Sequence, residues 1–280
     1  MDSEDIELKK LELMARNIRR IVLNLGLAAK QNGSHIGPGL SIVEIMAILY
    51  GRILKFDSNN PYWEERDRFI LSKGHGALGY YAALAESKII SDKDINSFDV
   101  NGGLFPSQPI LLPSKGIESA SGSLGIGLSF AIGIAIAIKK RGLSSRVFVL
   151  MGDGECNEGT VWESAMSCSH FKLDNIVTII DHNKMQSDGI CVKILDMKDI
   201  VLKWQSFGFN VISVDGHNIQ ELWQTFESIL NMRNGKPSVI IANTIKGKGV
   251  SFMENNPLWH HNYLTQNDYN KAIEECFGNK

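Results

Sequence analysis

The chain has 280 residues, of which 44% are hydrophobic and 21% charged, and its formal net charge at pH 7 is −2. This length can bury one large α/β core or two small ones, and the nearly neutral charge argues against general attraction to nucleic acid or an anionic membrane. The most apolar run, residues 124–138, is too short to span a bilayer comfortably. Residues 1–10 lack the apolar core of a signal peptide, and the four cysteines show no CxxC spacing, so we expect a cytoplasmic protein with reduced thiols.

Helical and strand-like patterns alternate along the chain. Apolar residues at helical spacing predict helices over 8–31, 42–50, 77–87, 123–140, 158–171, 198–206 and 219–231, while short apolar runs predict strands over 68–71, 146–151, 175–181, 209–214 and 238–243. This alternation predicts an α/β fold, a parallel sheet flanked by helices on both faces. We interpret residues 1–280 as a single domain, with a mobile Gly- and Pro-rich loop over 99–115.

An acidic glycine turn, Gly152-Asp153-Gly154-Glu155, follows the predicted strand 146–151, and Asn183 follows the next strand. A strand-helix-strand crossover brings Asp153 and Asn183 to the same carboxyl edge of a parallel sheet. A carboxylate and an amide oxygen there suit Mg²⁺, which combines a few protein oxygens with substrate phosphates. The glycines let the backbone approach a diphosphate. For the GDG triplet alone, an acidic turn after a strand is the alternative interpretation.

This arrangement resembles the metal-diphosphate motif of thiamine diphosphate enzymes, in which Asp153, Asn183 and the carbonyl of Met185 would hold Mg²⁺ against the cofactor. Further segments are similar to transketolases, in order and spacing, from about residue 17 to residue 261. They are GSHIGPGLS at 33–41, DRFILSKGHG at 67–76, SGSLG at 121–125, and TIKGKGVSFMEN at 244–255 with a Trp-His pair at 259–260. The chain therefore looks like a transketolase diphosphate-binding domain.

The resemblance covers only the first of the three domains of a full-length transketolase. The family places the glutamate that activates the cofactor's aminopyrimidine ring in the second domain, and no segment here matches that domain. Split transketolases divide these domains between two chains. The resemblance thus implies an amino-terminal subunit that needs a carboxyl-terminal partner, in an assembly of two plus two chains, to transfer a two-carbon ketol unit from a ketose to an aldehyde.

The resemblance also implies roles for particular residues. His35 and His260 would face the substrate channel and move protons, and His260 would also touch the diphosphate. Glu158 would link paired cofactor sites across the dimer, with a helix-start charge as the alternative. Lys246 and Lys248 resemble lysines of the family's closing loop, where they would meet a phosphate or be solvated. The remaining cofactor contacts would be His75, Gly122, Ser123, Leu124, Gly152, Gly154 and Glu155, whereas His170, His182 and His217 are expected to be structural.

The predicted helix 123–140 is rich in Gly, Ala and Ser. Small residues permit close backbone approach, which suits either a helix at an interface between chains or a tightly packed internal helix. The family resemblance favours the interface. The glycine turn before this helix would direct free N–H groups towards the cofactor's anion.

Two positions depart from the family pattern. Gln108 stands where the family commonly has a histidine that contacts the donor's terminal hydroxyl, and a glutamine does not titrate usefully. His261 stands where the family usually has glycine. Gln108 leaves open a thiamine diphosphate-dependent acyl transferase with a pyruvate-type donor. A dehydrogenase alpha subunit would share the GDG and Asn motif, although the segments 67–76 and 244–255 argue against it. A non-catalytic cofactor-binding subunit is the alternative from a different class.

Overall fold

The protein is described by a computed structural model over residues 3–232 and 234–278. Its strands are β1 (Arg68–Leu71), β2 (Val147–Gly152), β3 (Ile176–His182), β4 (Asn210–Asp215) and β5 (Ser238–Asn243). They form one five-stranded sheet in the order β1-β2-β3-β5-β4, and every neighbouring pair is parallel. The predicted parallel sheet is confirmed, with each strand within one residue of its predicted bounds.

Successive side chains of the central strands enter two separate cores. Phe148 and Leu150 of β2 join one hydrophobic cluster, whereas Val147, Val149 and Met151 join the other. Side chains of a strand alternate between the two faces of its sheet, so each cluster marks one covered face. Both faces are therefore buried, as an apolar parallel sheet requires.

Helices cover both faces. The first cluster takes side chains from α1 (Ser3–Ala28), α2 (Ile36–Leu40), α3 (Val43–Ile48), α4 (Ala77–Glu86), α10 (Ile219–Asn231) and α11 (Gln266–Phe277). The second takes them from α6 (Ile126–Lys140), α7 (Gly159–His170) and α9 (Ile200–Ser206). Two short helices, α5 (Asp92–Ile95) and α8 (Cys191–Ile194), lie in the connections.

Several helix bounds differ from the sequence-based prediction for local reasons. The predicted helix 123–140 begins at Ile126, because Gly125 before it adopts a left-handed φ of 84°. The predicted helix 42–50 changes at Leu49 to a π-helical turn that ends at Ile53. Helix α11 was not predicted, because only Ala272 of its residues is buried and the segment is polar on average. Thr265 caps it by accepting a hydrogen bond from the Asp268 amide, and this T-x-x-D spacing was the available signal.

The sheet register brings four strand ends to one edge. Leu71 pairs with Leu150, Gly152 pairs with Asp181, and His182 pairs with Asn243. Since parallel strands end on the same side, the loops after β1, β2, β3 and β5 meet there. The sequence segments singled out above follow these strands, so their side chains converge at this carboxyl edge.

Two expectations about compartment and chemistry can be compared with the structure. Within the described residues, helices long and apolar enough for a membrane crossing do not occur. All four cysteines are free thiols. Cys156 is fully buried inside the glycine turn, and burial raises the pKa of its thiol well above the usual value, so packing is its role.

Candidate cofactor-binding and active site

A cleft of about 190 Å³ opens at the carboxyl edge of the sheet. It lies between the loops that follow β1, β2 and β3 and the segment after Pro257. Of the residues predicted for the site, the cleft is lined by His75, Leu124, Gly152, Asp153, Gly154, Glu155, Glu158, Asn183, Met185 and His260. The predicted Gly122 and Ser123 line a neighbouring groove of about 420 Å³ together with Ile126 and Phe130.

Asp153 joins the turns that end β2 and β3. Its Oδ1 accepts a hydrogen bond from the Gly154 amide at 2.8 Å, and its Oδ2 accepts one from the Lys184 amide at 2.7 Å. Burial, and then the neighbouring Asp181, raise the pKa of Asp153. This carboxylate is thus a partly compensated negative charge in a buried position, where a bound cation would be stabilising.

Asn183 is held with its amide nitrogen facing inwards. Its Nδ2 donates to Asp181 Oδ2 at 2.9 Å and to Ser41 Oγ at 3.2 Å, while its Oδ1 accepts from the Met185 amide at 3.0 Å. A carboxylate only accepts hydrogen bonds when ionised, so Asp181 determines which side-chain atom of Asn183 is the nitrogen. The oxygen, which retains a free lone pair, therefore faces the Met185 turn on the cleft side.

Asp181 is itself neutralised by a buried lysine that the sequence analysis did not single out. Lys73 Nζ forms an ion pair with Asp181 Oδ2, and both side chains are 1% exposed or less. Burial alone would raise the pKa of Asp181, but the charge and hydrogen bond of Lys73 outweigh it and the pKa is lowered. Ser41 Oγ donates to Asp181 Oδ1 at 2.7 Å. A lysine directly after an apolar strand was the sequence signal for this pair.

Glu155 lines the cleft, but its carboxylate is engaged by the protein. Its Oε1 accepts hydrogen bonds from Ser72 Oγ and, at 2.8 Å, from the Gly125 amide, and its Oε2 accepts one from the Gly152 amide at 3.1 Å. Glu155 therefore connects the ends of β1 and β2 to the turn before α6. It shapes the loops around the cleft.

Three of the predicted histidines form one cluster with His261. The ring centroids of His35 lie 6.1 Å from His75, 5.4 Å from His260 and 4.6 Å from His261, and those of His75 and His260 lie 5.1 Å apart. Burial lowers the pKa of His35 to about 4 and of His260 to about 3, and it lowers the pKa of His75 well below its usual value. These imidazoles are neutral at pH 7 and can both donate and accept a proton.

Lys246 determines the tautomer of His260. Its Nζ lies 2.7 Å from His260 Nδ1 and donates to the Gln186 carbonyl at 3.0 Å. An ammonium group has no acceptor, so Nδ1 of His260 accepts and the proton of the neutral ring is on Nε2. Burial, followed by repulsion from Lys73, lowers the pKa of Lys246 to about 8. The described hydrogen bonds of Lys246 Nζ go to His260 and Gln186, both of which line the cleft.

Gln108 lies against the glycine turn that precedes α6. A Cβ added at Gly122, whose φ is +140°, would be 2.5 Å from Gln108 Oε1, and one at Gly74 would be 3.3 Å from the same atom. The glycines therefore let the Gln108 amide approach the backbone next to His75. The loop 99–115, expected to be mobile, places this side chain against Gly122, which lines the neighbouring groove.

Glu158 and α6 present an open surface beside the cleft. Glu158 precedes α7 and is exposed, with its Cβ close to Gly125. Along α6, Ile126 is 49% and Phe130 45% exposed, and Gly133 has no neighbour within 4 Å of an added Cβ. In the single chain this helix is thus packed on one side and apolar on the other.

The predicted metal set contains one carboxylate, one amide and one main-chain carbonyl. Within the described residues, three or more His, Cys, Asp or Glu side chains do not come together as a metal-binding group. Asp153 and the oxygen side of Asn183 both face the Met185 turn, and such oxygen donors match the preference of Mg²⁺. The residues present fit a divalent cation that would take its remaining ligands from a diphosphate.

Comparison with known proteins agrees with this geometry. Residues 12–280 match the family model described as transketolase, thiamine diphosphate binding domain. The chain is 41% identical over 277 residues to one chain of the apulose-4-phosphate transketolase of Actinobacillus succinogenes, covering 98% of this chain and 99% of the relative. It is 39% identical over 265 residues to one chain of the 6-deoxy-6-sulfo-D-fructose transketolase of a Clostridium species, covering 95% of each. Both relatives are named as transketolase subunits.

The fold is that of the solved transketolases. The Leishmania mexicana enzyme superposes with a TM-score of 0.86 at 25% identity, and the Campylobacter jejuni enzyme with 0.85 at 27%. The match covers 95% and 99% of this chain but only 41% and 43% of those structures. Sheet, cleft and family model together define a thiamine diphosphate-binding domain. The chain belongs to the transketolase family.

Proposed function

We propose that this chain is the amino-terminal subunit of a two-chain transketolase that depends on thiamine diphosphate and Mg²⁺. The complete enzyme transfers a two-carbon ketol unit from a ketose donor to an aldehyde acceptor in the cytoplasm. The observation that carries this proposal is that Asp153, Asn183, His75 and His260 line one cleft, with the His35 ring 5.4 Å from that of His260.

In this proposal Asp153, the Asn183 amide oxygen and the Met185 carbonyl hold Mg²⁺, and His75 with the turns around Gly122 and Gly154 contacts the diphosphate. When bound, thiamine diphosphate supplies the nucleophilic carbon that carries the two-carbon unit. Asp181 orients the amide of Asn183 for metal binding. Leu124 and Ser123 complete the cofactor contacts, and Glu155 supports the loops behind them.

Proton transfer is assigned to His35 and His260. Lys246 keeps the proton of neutral His260 on Nε2, so this atom donates to a substrate oxygen and receives the proton back. His35 contributes its imidazole next to His260, with the two ring centroids 5.4 Å apart. Gln108 contacts the donor sugar through hydrogen bonds that carry no proton transfer.

A second chain completes the site in this proposal. The chain spans 43% of the length of human transketolase, to which it is 36% identical, whereas the relatives of matching length are named as subunits. A carboxyl-terminal partner chain would supply the remaining domains and cover the exposed face of α6, and Glu158 would connect two cofactor sites in an assembly of two plus two chains. The exposed Ile126 and Phe130 support this arrangement.

The test is a coupled assay of the chain co-expressed with a carboxyl-terminal transketolase subunit. We expect ketol transfer from a ketose phosphate only when both chains, Mg²⁺ and thiamine diphosphate are present. Asp153→Asn removes the metal carboxylate and should weaken cofactor binding about tenfold or more, whereas the exposed neighbour Asp188→Asn should not.

The donor is decided in the same assay. If pyruvate is the one donor consumed, the result would favour the acyl transferase alternative. It would also associate Gln108 with the change of donor. A stable complex that binds thiamine diphosphate but consumes none of the donors offered would contradict the proposal and favour a non-catalytic subunit.

A further inference from the structure

A second group of charged side chains, one buried and two half-buried, lies behind the loop that carries Lys246. It consists of Arg19 from α1, Glu44 from α3 and His217 from the connection between β4 and α10. Their side chains are 15%, 9% and 11% exposed, respectively. Arg19 pairs with Glu44 Oε1, and His217 Nδ1 lies 2.8 Å from Glu44 Oε2. None of these residues lines the cofactor cleft.

The tautomer of His217 follows from its second contact. The Ile245 amide donates a hydrogen bond to His217 Nε2 at 2.8 Å. A backbone N–H only donates, so Nε2 carries no proton and the ring proton of the neutral imidazole is on Nδ1, facing Glu44. The imidazole therefore connects the buried carboxylate to the main chain of the loop directly before Lys246.

Arg19 supports the other end of the same loop. Its Nε donates to the Lys248 carbonyl at 3.4 Å. Gly249, with φ +95°, lies directly on the guanidinium group, and a Cβ there would be 2.8 Å from Arg19 Nε. The loop 245–249 is thus held at its first residue by His217 and near its last by Arg19. Lys246 lies between these points and reaches His260 and Gln186 on the cleft side.

We propose that His217 is a positioning residue of the cofactor site. It holds the Ile245 amide and thereby keeps Lys246 in contact with His260 and the Gln186 carbonyl. This inference deepens the proposed function and rests on it for its catalytic consequence. The hydrogen bond between His217 and the Ile245 amide does not depend on the proposed function, because both residues belong to this chain. A merely structural histidine would affect stability without a selective effect on residues 245–249.

Two substitutions separate the contacts of the ring. In His217→Gln the side-chain oxygen reaches the position of Nε2 and can accept from Ile245, whereas in His217→Asn the amide reaches only the Nδ1 side and Glu44. Asn218→Ala is the matched control, because Asn218 caps α10 by accepting from the Glu221 amide and has no described contact with Ile245. Asn218→Ala should lower the stability of the chain without a selective effect on residues 245–249.

Hydrogen exchange of the full chain gives a readout without catalysis. We expect the Ile245 amide in His217→Asn to exchange about fivefold faster or more, since one buried hydrogen bond is lost. His217→Gln and Asn218→Ala should keep wild-type protection there. Equal protection in His217→Asn and the wild type would overturn the proposal. If His217→Asn does not fold, the test rests on His217→Gln. Loss of the protection of the Ile245 amide in that variant would overturn the proposal.

The assembled enzyme gives the second readout. His217→Asn should weaken thiamine diphosphate binding about fivefold or more and also lower kcat at saturating cofactor, because Lys246 is no longer held against His260, and His217→Gln should restore both. Unchanged affinity in His217→Asn would overturn the positioning role. Failure of the wild-type complex to transfer a ketol unit would instead count against the proposed function, and the exchange result would still stand.

Discussion

Asp181 Oδ2 accepts a hydrogen bond from Asn183 Nδ2 at 2.9 Å, two residues further along the same strand end. The same carboxylate oxygen is paired with the buried ammonium group of Lys73. One buried charge pair thus orients the amide that we assign to the metal. Because Lys73 follows β1 and Asp181 is the last residue but one of β3, the pair also fixes two strand ends relative to each other.

Breaking this pair should destabilise the chain strongly. Lys73→Met leaves Asp181 as a buried carboxylate without its cation, and such changes cost about 3–5 kcal/mol. We expect the free energy of unfolding, measured by denaturant titration, to fall by an amount in this range. Lys198→Met breaks the exposed pair with Asp196 and should have little effect. Equal losses in both variants would contradict a special role for the buried pair.

Gly37 should not tolerate a side chain. A Cβ at this position would be 2.6 Å from the Trp259 carbonyl oxygen, a backbone atom that cannot rotate away. Gly37→Ala should therefore displace the segment before His260, lower thermal stability and reduce turnover of the assembled enzyme. In contrast, Gly133→Ala on α6 meets nothing within 4 Å and should stabilise the isolated chain by about 0.5–1 kcal/mol. Calorimetry of the two variants distinguishes these outcomes.

The exposed face of α6 should be needed for assembly. Phe130→Glu places a charge on this apolar face without disturbing the core, because Phe130 is 45% exposed in the single chain. We expect normal folding by circular dichroism but loss of the complex with the carboxyl-terminal partner chain in size-exclusion chromatography. Leu13→Glu, at a residue of α1 that is 57% exposed, is the matched control and should still assemble. Assembly of Phe130→Glu would place the interface elsewhere.

The histidine cluster should make the isolated chain less stable in mild acid. Burial lowers the pKa of His35 from 6.5 to about 4 and that of His260 to about 3. Below pH 6.5 the unfolded chain binds protons that the folded chain does not, so stability is fully present above that pH and falls as the pH drops towards 4. Thermal unfolding at several pH values should show a weaker acid dependence in His35→Asn than in the exposed-site control His170→Asn. The same slope in both would contradict this assignment.

Parallel strands were predictable here because each is a short apolar run with a turn signal after it. The predicted strands 68–71 and 238–243 have the same bounds as β1 and β5 in the structure. The start of α6 was misplaced, because Gly125 is left-handed and its N–H and carbonyl are hydrogen-bonded to Glu155 and Thr160, which are distant in sequence. Helix α11 was missed, because it buries little and its residues are polar on average.

The parallel α/β fold and the residue types of the site were predictable from the sequence, because strand patterns and glycine-bounded acidic turns are local features. The contacts between those residues were not predictable in the same way. The Lys73–Asp181 pair, the Lys246–His260 contact and the His217–Ile245 hydrogen bond join residues that are far apart in the chain. Such contacts depend on the packing of several loops at one sheet edge, and burial there, rather than residue type, sets the charge states of the histidines.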